Sequence, residues 1–338
     1  MEDVNGFTVF QWILITMLAF GCLHYLWLVW EDRYGTEVIV LSPGSGLNIS
    51  KEGFSNPHGI MDSELSRTLW FENDDLFDDF YASIYDNLTQ LAGRYPRELA
   101  LIINEWKKTT ALDTMDVLDC GCGTGIATVL FARQGVNSVV GLDKSEHMLR
   151  RARNVTLLAA DLPKEQRESV QFIQGDMLQE MTFSPGQFSH ASLLFFTFYY
   201  VSDTSGLFKN LYHWIRPGGQ LAIEVVNKYK FDPMLESASP FLGTSVQKYS
   251  KKRVTKSKVE FDKFSYEADF ELKDPEAEFR ETFRFKDKSV RRQRHTFNMK
   301  DVNEIVKLGQ MAGWNYNGYI DLITAGFEYA YVLMFTHP

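Results

Sequence analysis

Apolar positions divide the chain into stretches of different rhythm. Residues 7–30 run for 24 positions with no Asp, Glu, Lys or Arg. As a helix that run spans about 36 Å, enough to cross a bilayer core with some tilt. Trp12, Tyr25, Trp27 and Trp30 sit where interfacial aromatics are favoured. Glu2 and Asp3 precede the run, where a cleaved leader would carry basic residues. The pattern therefore predicts a single-pass transmembrane anchor over 1–30. Residues 31–75 are rich in Gly, Ser, Pro and Asn without periodicity, and read as a linker.

From Leu76 the spacing becomes helical, with Phe77, Phe80, Ile84, Leu88 and Leu91 on one face, and a second helix follows over 97–108. Short apolar runs then alternate with helices. Strands are expected at 117–118, 139–142, 170–173, 188–196 and 220–226, and helices at 125–134, 145–154 and 207–215. Such alternation implies a parallel sheet covered on both faces, an α/β class. After Asn227 the strands lengthen to 258–272, 277–285 and 290–297, with breaks at Lys273-Asp274-Pro275 and Lys286-Asp287-Lys288. This predicts an antiparallel β insertion, over 228–297, packed on one end of the main sheet. A helix over 299–311, stopped by Gly313, and strands near 316–321 and 329–335 close a domain that occupies 76–338.

Charge narrows the partners. The net charge of −9 disfavours a general nucleic-acid binder. Lys248, Lys251, Lys252, Arg253, Lys256 and Lys258 form a local basic run, which reads as a solvated face or as a contact for anionic headgroups or an acidic substrate. Cys22, Cys120 and Cys122 are too few and too badly spaced for a disulfide framework or a zinc site, so no metal is expected. Arg33 follows the apolar run and no Lys or Arg precedes it, which tips the domain to the cytosolic side.

The chemistry concentrates in Asp119-Cys120-Gly121-Cys122-Gly123-Thr124-Gly125, after the first strand and at the start of a helix. Glycines are needed where backbone passes against a ligand. The spacing differs from the Gly-x-Gly-x-x-Gly of pyrophosphate-binding turns, and an acidic residue at the strand end suits a cationic ligand better than a diphosphate. Asp143 ends the second strand, where a carboxylate can accept both ribose hydroxyls. Asp176 follows the third, within reach of an adenine amino group. Acids at the ends of consecutive strands lie where open α/β sheets bind ligands.

These motifs closely resemble those of class I S-adenosylmethionine-dependent methyltransferases, from about Leu76 to the C-terminus. The resemblance implies a Rossmann-like sheet with S-adenosyl-L-methionine as cofactor, contacted by Asp119, Gly121, Cys122, Gly123 and Gly125, by Asp143, Lys144 and Met148, and by Asp176 and Met177. Leu194 and Phe195, where the fourth strand ends, and Tyr85 complete the expected contacts. Residues 80–86, the strands after strand five and Arg292-Gln293-Arg294-His295 resemble the small-molecule and glycine-type N-methyltransferase branch. The membrane-anchored layout is similar, more loosely, to methyltransferases of large DNA viruses. The fourth strand reads Phe188-Ser189-His190, where many relatives have Asp after Phe. An in-line methyl transfer needs positioning more than an acid or base, and Tyr81, Tyr85, His295 and Glu224 are the catalytic candidates. The implied activity is methyl transfer to a nucleophile, an amine in the first instance, of a small molecule or other acceptor. A membrane scaffold with an inactive methyltransferase fold and a membrane-recruited RNA methyltransferase are the alternatives.

Overall fold

The computed structural model describes residues 37–41, 68–235, 247 and 252–338. The anchor expected over 1–30, and Lys248 and Lys251 of the basic run, lie outside the described residues. Among the described residues no helix is long and apolar enough to cross a membrane.

Two sheets organise the domain. Among the described residues the main sheet has seven strands. Its parallel part is β3 (Asp116–Cys120), β4 (Ser138–Asp143), β5 (Val170–Gln174), β6 (Phe188–Leu193) and β7 (Ile215–Val226). The antiparallel closing strands are β12 (Asn315–Asp321) and β13 (Ala330–Thr336), giving the order β12-β13-β7-β6-β3-β4-β5. Every residue of β6 is buried, as helix-covered parallel strands require. The helices are α1 (Asp79–Thr89), α2 (Leu91–Trp106), α3 (Ile126–Arg133), α4 (Glu146–Arg151), α5 (Lys164–Glu168), α6 (Thr204–Trp214) and α7 (Val302–Met311). Pro217-Gly218-Gly219, between the helix expected over 207–215 and the strand expected over 220–226, is absorbed into β7, with a register shift against β6 between Phe188 and His190.

The second sheet runs β1-β8-β9-β10-β11-β2. Its antiparallel centre is the expected insertion, with four strands rather than three: β8 (Lys256–Glu260), β9 (Phe264–Lys273), β10 (Glu276–Phe285) and β11 (Val290–Asn298). The segment read as a linker supplies both edges, β1 (Glu37–Leu41) parallel to β8 and β2 (Thr68–Glu72) parallel to β11. Edge strand β2 leaves Thr68, Leu69 and Trp70 exposed, so it lacks the alternating burial that marks a strand in sequence.

Helix α1 joins the two layers. Asp78 caps it by accepting from the Tyr81 amide at 2.9 Å. Phe80 packs edge-on against Phe283 and Phe285 of the second sheet. Asp86 accepts from Thr124 Oγ1 at 2.5 Å and from Arg151 Nε at 2.9 Å, which fixes the helix over the glycine turn.

The histidine of β6 belongs to the core. His190 lies beneath Trp106, 4.7 Å between ring centroids, and Trp106 stacks on Phe131. Its Nδ1 is 2.7 Å from Ser189 Oγ and its buried Nε2 has no partner. Burial, helped by the Arg216 charge, pushes its pKa down to about 4. The folded value lies below the ordinary histidine value, so the unfolded chain takes up the proton first and stability falls as pH drops from about 6.5 towards 4, by roughly 3 kcal/mol at full titration. Urea unfolding at pH 7.5 and 4.5 is expected to show the wild type losing roughly 2–3 kcal/mol more than His190→Gln. Equal losses would remove His190 from the acid response.

Candidate functional site

A cavity of about 690 Å³ opens at the carboxyl ends of β3, β4, β5 and β6. Gly121 and Gly123 form one wall, both with positive φ (68° and 54°). A Cβ on Gly123 would meet nothing nearer than the Tyr85 ring at 4.0 Å, so the backbone is bared to the cavity. Gly125 has a different task. A Cβ there would lie 2.7 Å from the Phe172 ring and 2.8 Å from Ala152 Cβ, so this glycine serves close helix packing and does not line the cavity.

Asp143 is on the wall. Its carboxylate accepts from the Gly123 amide at 2.8 Å and the Ser145 amide at 2.9 Å. Burial raises its pKa from the ordinary value, and those amides oppose the rise. Capping of α4 falls to Ser145, whose Oγ accepts from the Met148 amide. Asp176 also lines the cavity. It accepts from the Leu178 amide at 2.8 Å and pairs with Lys144 at 3.1 Å. Among the described residues Lys144 is the only cation in the lining, and it is already paired there with Asp176, so the wall does not suit a diphosphate. Met148, Met177, Phe195 and Tyr85 complete the expected contacts that reach the cavity.

Three further expected contacts do not reach it. Asp119 is buried beneath the turn, accepting from Thr128 Oγ1 at 2.6 Å and Ser192 Oγ at 3.1 Å. Burial pushes its pKa up to about 6 against those hydroxyls. It braces the glycine turn from below rather than facing a ligand. Cys122 turns its Sγ towards Gly141, where an added Cβ would be 2.9 Å away. Leu194 packs in the core.

The catalytic candidates separate in the same way. Of the four, only Tyr85 lines the cavity. Glu224 is not free to take a proton from a substrate: it is paired with Arg94 and accepts from the Phe195 amide. That bond holds Phe195, a bulky residue at φ 55°, in an unfavourable backbone region beside the cavity. Tyr81 and His295 are buried and meet at Glu281 of β10: the Tyr81 hydroxyl donates to Glu281 Oε2 at 2.8 Å, and His295 Nε2 lies 2.7 Å from the same oxygen. The sequence reading missed Tyr200, which lines the cavity and lies 2.6 Å from His295 Nδ1, and Glu281 itself. The signal for Glu281 was its place on the inward face of a strand, between Phe279 and Phe283.

Residues 117–219 match the family described as "Methyltransferase domain". The chain carries a methyltransferase domain. No curated protein matches the sequence. The architecture resembles an S-adenosylmethionine-dependent methyltransferase from Clostridium acetobutylicum, at 17% identity and TM-score 0.57, covering 76% of this chain and 98% of that one. It resembles the CcbJ methyltransferase of Streptomyces caelestis, at 17% identity and TM-score 0.57, over 77% of this chain and 97% of the other. It also resembles S-adenosylmethionine-bound CalS10, an amino pentose methyltransferase from Micromonospora echinaspora, at 18% identity and TM-score 0.51, over 75% and 97%. At these identities the likeness is one of fold, and the methyltransferase domain lies in the main sheet.

Proposed function

We propose that this protein is an S-adenosylmethionine-dependent methyltransferase acting on an amine nitrogen of a small molecule. The observation that carries the reading is the convergence of the Gly121 and Gly123 backbone, bare at Gly123, with the Asp143 and Asp176 carboxylates on one cavity. The cofactor supplies an electrophilic methyl on a sulfonium. Gly121 and Gly123 would bring backbone against it, Asp143 would accept the ribose hydroxyls, and Asp176 with Met177 would border the adenine. Tyr85, Phe195, Phe196 and Tyr200 shut the other end with aromatic surface, which suits a methyl acceptor held dry and in line. The amine assignment draws on that uncharged, aromatic wall, and one fold neighbour is an amino pentose methyltransferase. The placed carboxylates favour an active enzyme over an inactive scaffold, and the acidic net charge disfavours an RNA substrate.

The test is calorimetric binding to the full chain of S-adenosylmethionine and S-adenosylhomocysteine, with NAD and ATP as controls. The expected result is saturable, one-to-one binding of the first pair only. A folded chain that binds neither of them, or that prefers a nucleotide phosphate, overturns the reading. The apolar run over 7–30 adds the proposal that the enzyme is held at a membrane with its domain in the cytosol. Alkaline extraction of membranes should leave the full chain in the pellet and release a chain lacking residues 1–30.

A further inference from the structure

Behind the aromatic wall lies a buried carboxylate that the methyl-transfer reading does not use. Glu281 is 1% exposed, yet it accepts four side-chain hydrogen bonds: from Tyr266 Oη at 2.5 Å, Gln293 Nε2 at 2.6 Å, His295 Nε2 at 2.7 Å and Tyr81 Oη at 2.8 Å. Burial opposes its charge, but the bonds from His295, Tyr266 and Gln293 outweigh burial and hold the carboxyl below its ordinary range. An isolated buried carboxylate is costly, and an apolar replacement is often no less stable, so a core gains little by keeping one.

With His295 neutral, the bonding order along this cluster follows from donor count. Ionised Glu281 can only accept, so His295 carries its proton on Nε2 and presents a lone pair on Nδ1. The Tyr200 hydroxyl, 2.6 Å away, must then donate to Nδ1. That leaves the lone pairs of Tyr200 Oη as the acceptor end of the series, on a residue that lines the cavity and is 40% exposed while His295 is 3% exposed. Every proton in the chain points inward, and the open end is an acceptor.

We infer that Tyr200, His295 and Glu281 form a proton relay that takes a proton from the methyl acceptor, which therefore reaches the site as a protonated amine. The inference rests on the methyltransferase reading above. The ammonium gives one proton to Tyr200 Oη while Tyr200 passes its own to His295 Nδ1. The imidazolium so formed stays bonded to the Glu281 carboxylate, and tyrosine remains neutral throughout. The freed nitrogen lone pair forms the C–N bond to the methyl carbon as the C–S bond breaks, with its electron pair staying on sulfur. The products are the methylated ammonium, neutral S-adenosylhomocysteine and one proton, which leaves His295 through Tyr200 when the cavity opens. Tyr200 touches the acceptor. His295 and Glu281 act through it.

Sinefungin tests this without a known acceptor. It differs from S-adenosylhomocysteine in carrying an ammonium group on carbon where the methyl donor carries its methyl on sulfur. The readout is the ratio of the two dissociation constants, measured by calorimetry on the full chain. General damage to the fold moves both constants and cancels in the ratio. The wild type is expected to prefer sinefungin by about tenfold, the scale of one hydrogen bond from a charged donor. Tyr200→Phe removes the acceptor oxygen, and Glu281→Gln keeps the shape but not the charge. Each should bring the ratio close to one, with binding of S-adenosylhomocysteine held within about threefold of wild type. Binding of both ligands with an unchanged ratio in the two variants overturns the relay alone. Binding of neither ligand by wild type overturns the methyltransferase reading, and the relay with it.

Discussion

Replacing Arg94 with methionine is expected to lower the stability of the folded chain by about 3–5 kcal/mol, the loss typical of breaking a buried ion pair from one side. Arg94 Nε lies 3.1 Å from Glu98 Oε2, and its Nη2 is paired with Glu224 Oε1. The two carboxylate side chains are 0% and 1% exposed. The guanidinium also lies 3.9 Å from the Phe327 ring centroid, so methionine keeps much of the packing while removing the charge. What remains is a pair of buried carboxyls with no cation, and Glu98 Oε1 has no partner even in the wild type. Urea unfolding measures the loss. Its pH dependence identifies the cause. Burial, reinforced by Glu98 and opposed by Arg94, pushes the Glu224 carboxyl well above its usual range. A raised carboxyl favours the folded chain while protonated, and that favour disappears as pH rises through the folded value. The deficit of Arg94→Met should therefore be smaller at pH 5 than at pH 8. A deficit that does not change with pH would point to lost packing instead.

The same cluster shows where reading the chain as a string succeeds and where it stops. Strands β3 to β5 were legible because each is a short run closed by a glycine or an acid, and those acids are the residues that a parallel sheet delivers to its ligand edge; β6 has no such stop, and the strand expected there overran it to 196. Asp143 and Asp176 followed from that rule. Asp119 obeys it too, but its carboxylate points down to Thr128 and Ser192, a choice made by hydroxyls on α3 and β6 that no spacing reveals. Glu224 looked available in sequence for a similar reason. Its partner Arg94 lies on α2, far off along the chain, and only packing brings them together. Tyr81, His295 and Glu281 come from a helix and two strands of the insertion, so their meeting is likewise tertiary. The edge strand β2 escaped for the opposite reason: its residues are exposed, and backbone pairing to β11 leaves no apolar pattern to detect.

Asp143→Ala is expected to weaken S-adenosylhomocysteine binding by about 100-fold or more, since two ribose hydroxyls lose a charged acceptor at about 1.5–3 kcal/mol each. The carboxylate has a second duty, because it also holds the Gly123 and Ser145 amides that shape the wall. Alanine removes both functions at once. Asp143→Asn separates them in part: Oδ2 accepts from Gly123 and Oδ1 from Ser145, so the amide keeps one of the two turn bonds and gives up the charge that the ribose uses. Asparagine should therefore lower the unliganded melting temperature less than alanine does and still lose about tenfold in affinity. If asparagine binds as tightly as wild type and alanine does not, Asp143 acts on the glycine turn and not on the ligand. If both bind as wild type, the ligand does not lie along β4, and the cavity must be read with the cofactor in another pose. A loss in both variants, larger for alanine, places the ribose on Asp143. It also orients the molecule: the adenine then falls towards Asp176, and the reacting methyl towards Tyr85, Phe195 and the free oxygen of Tyr200.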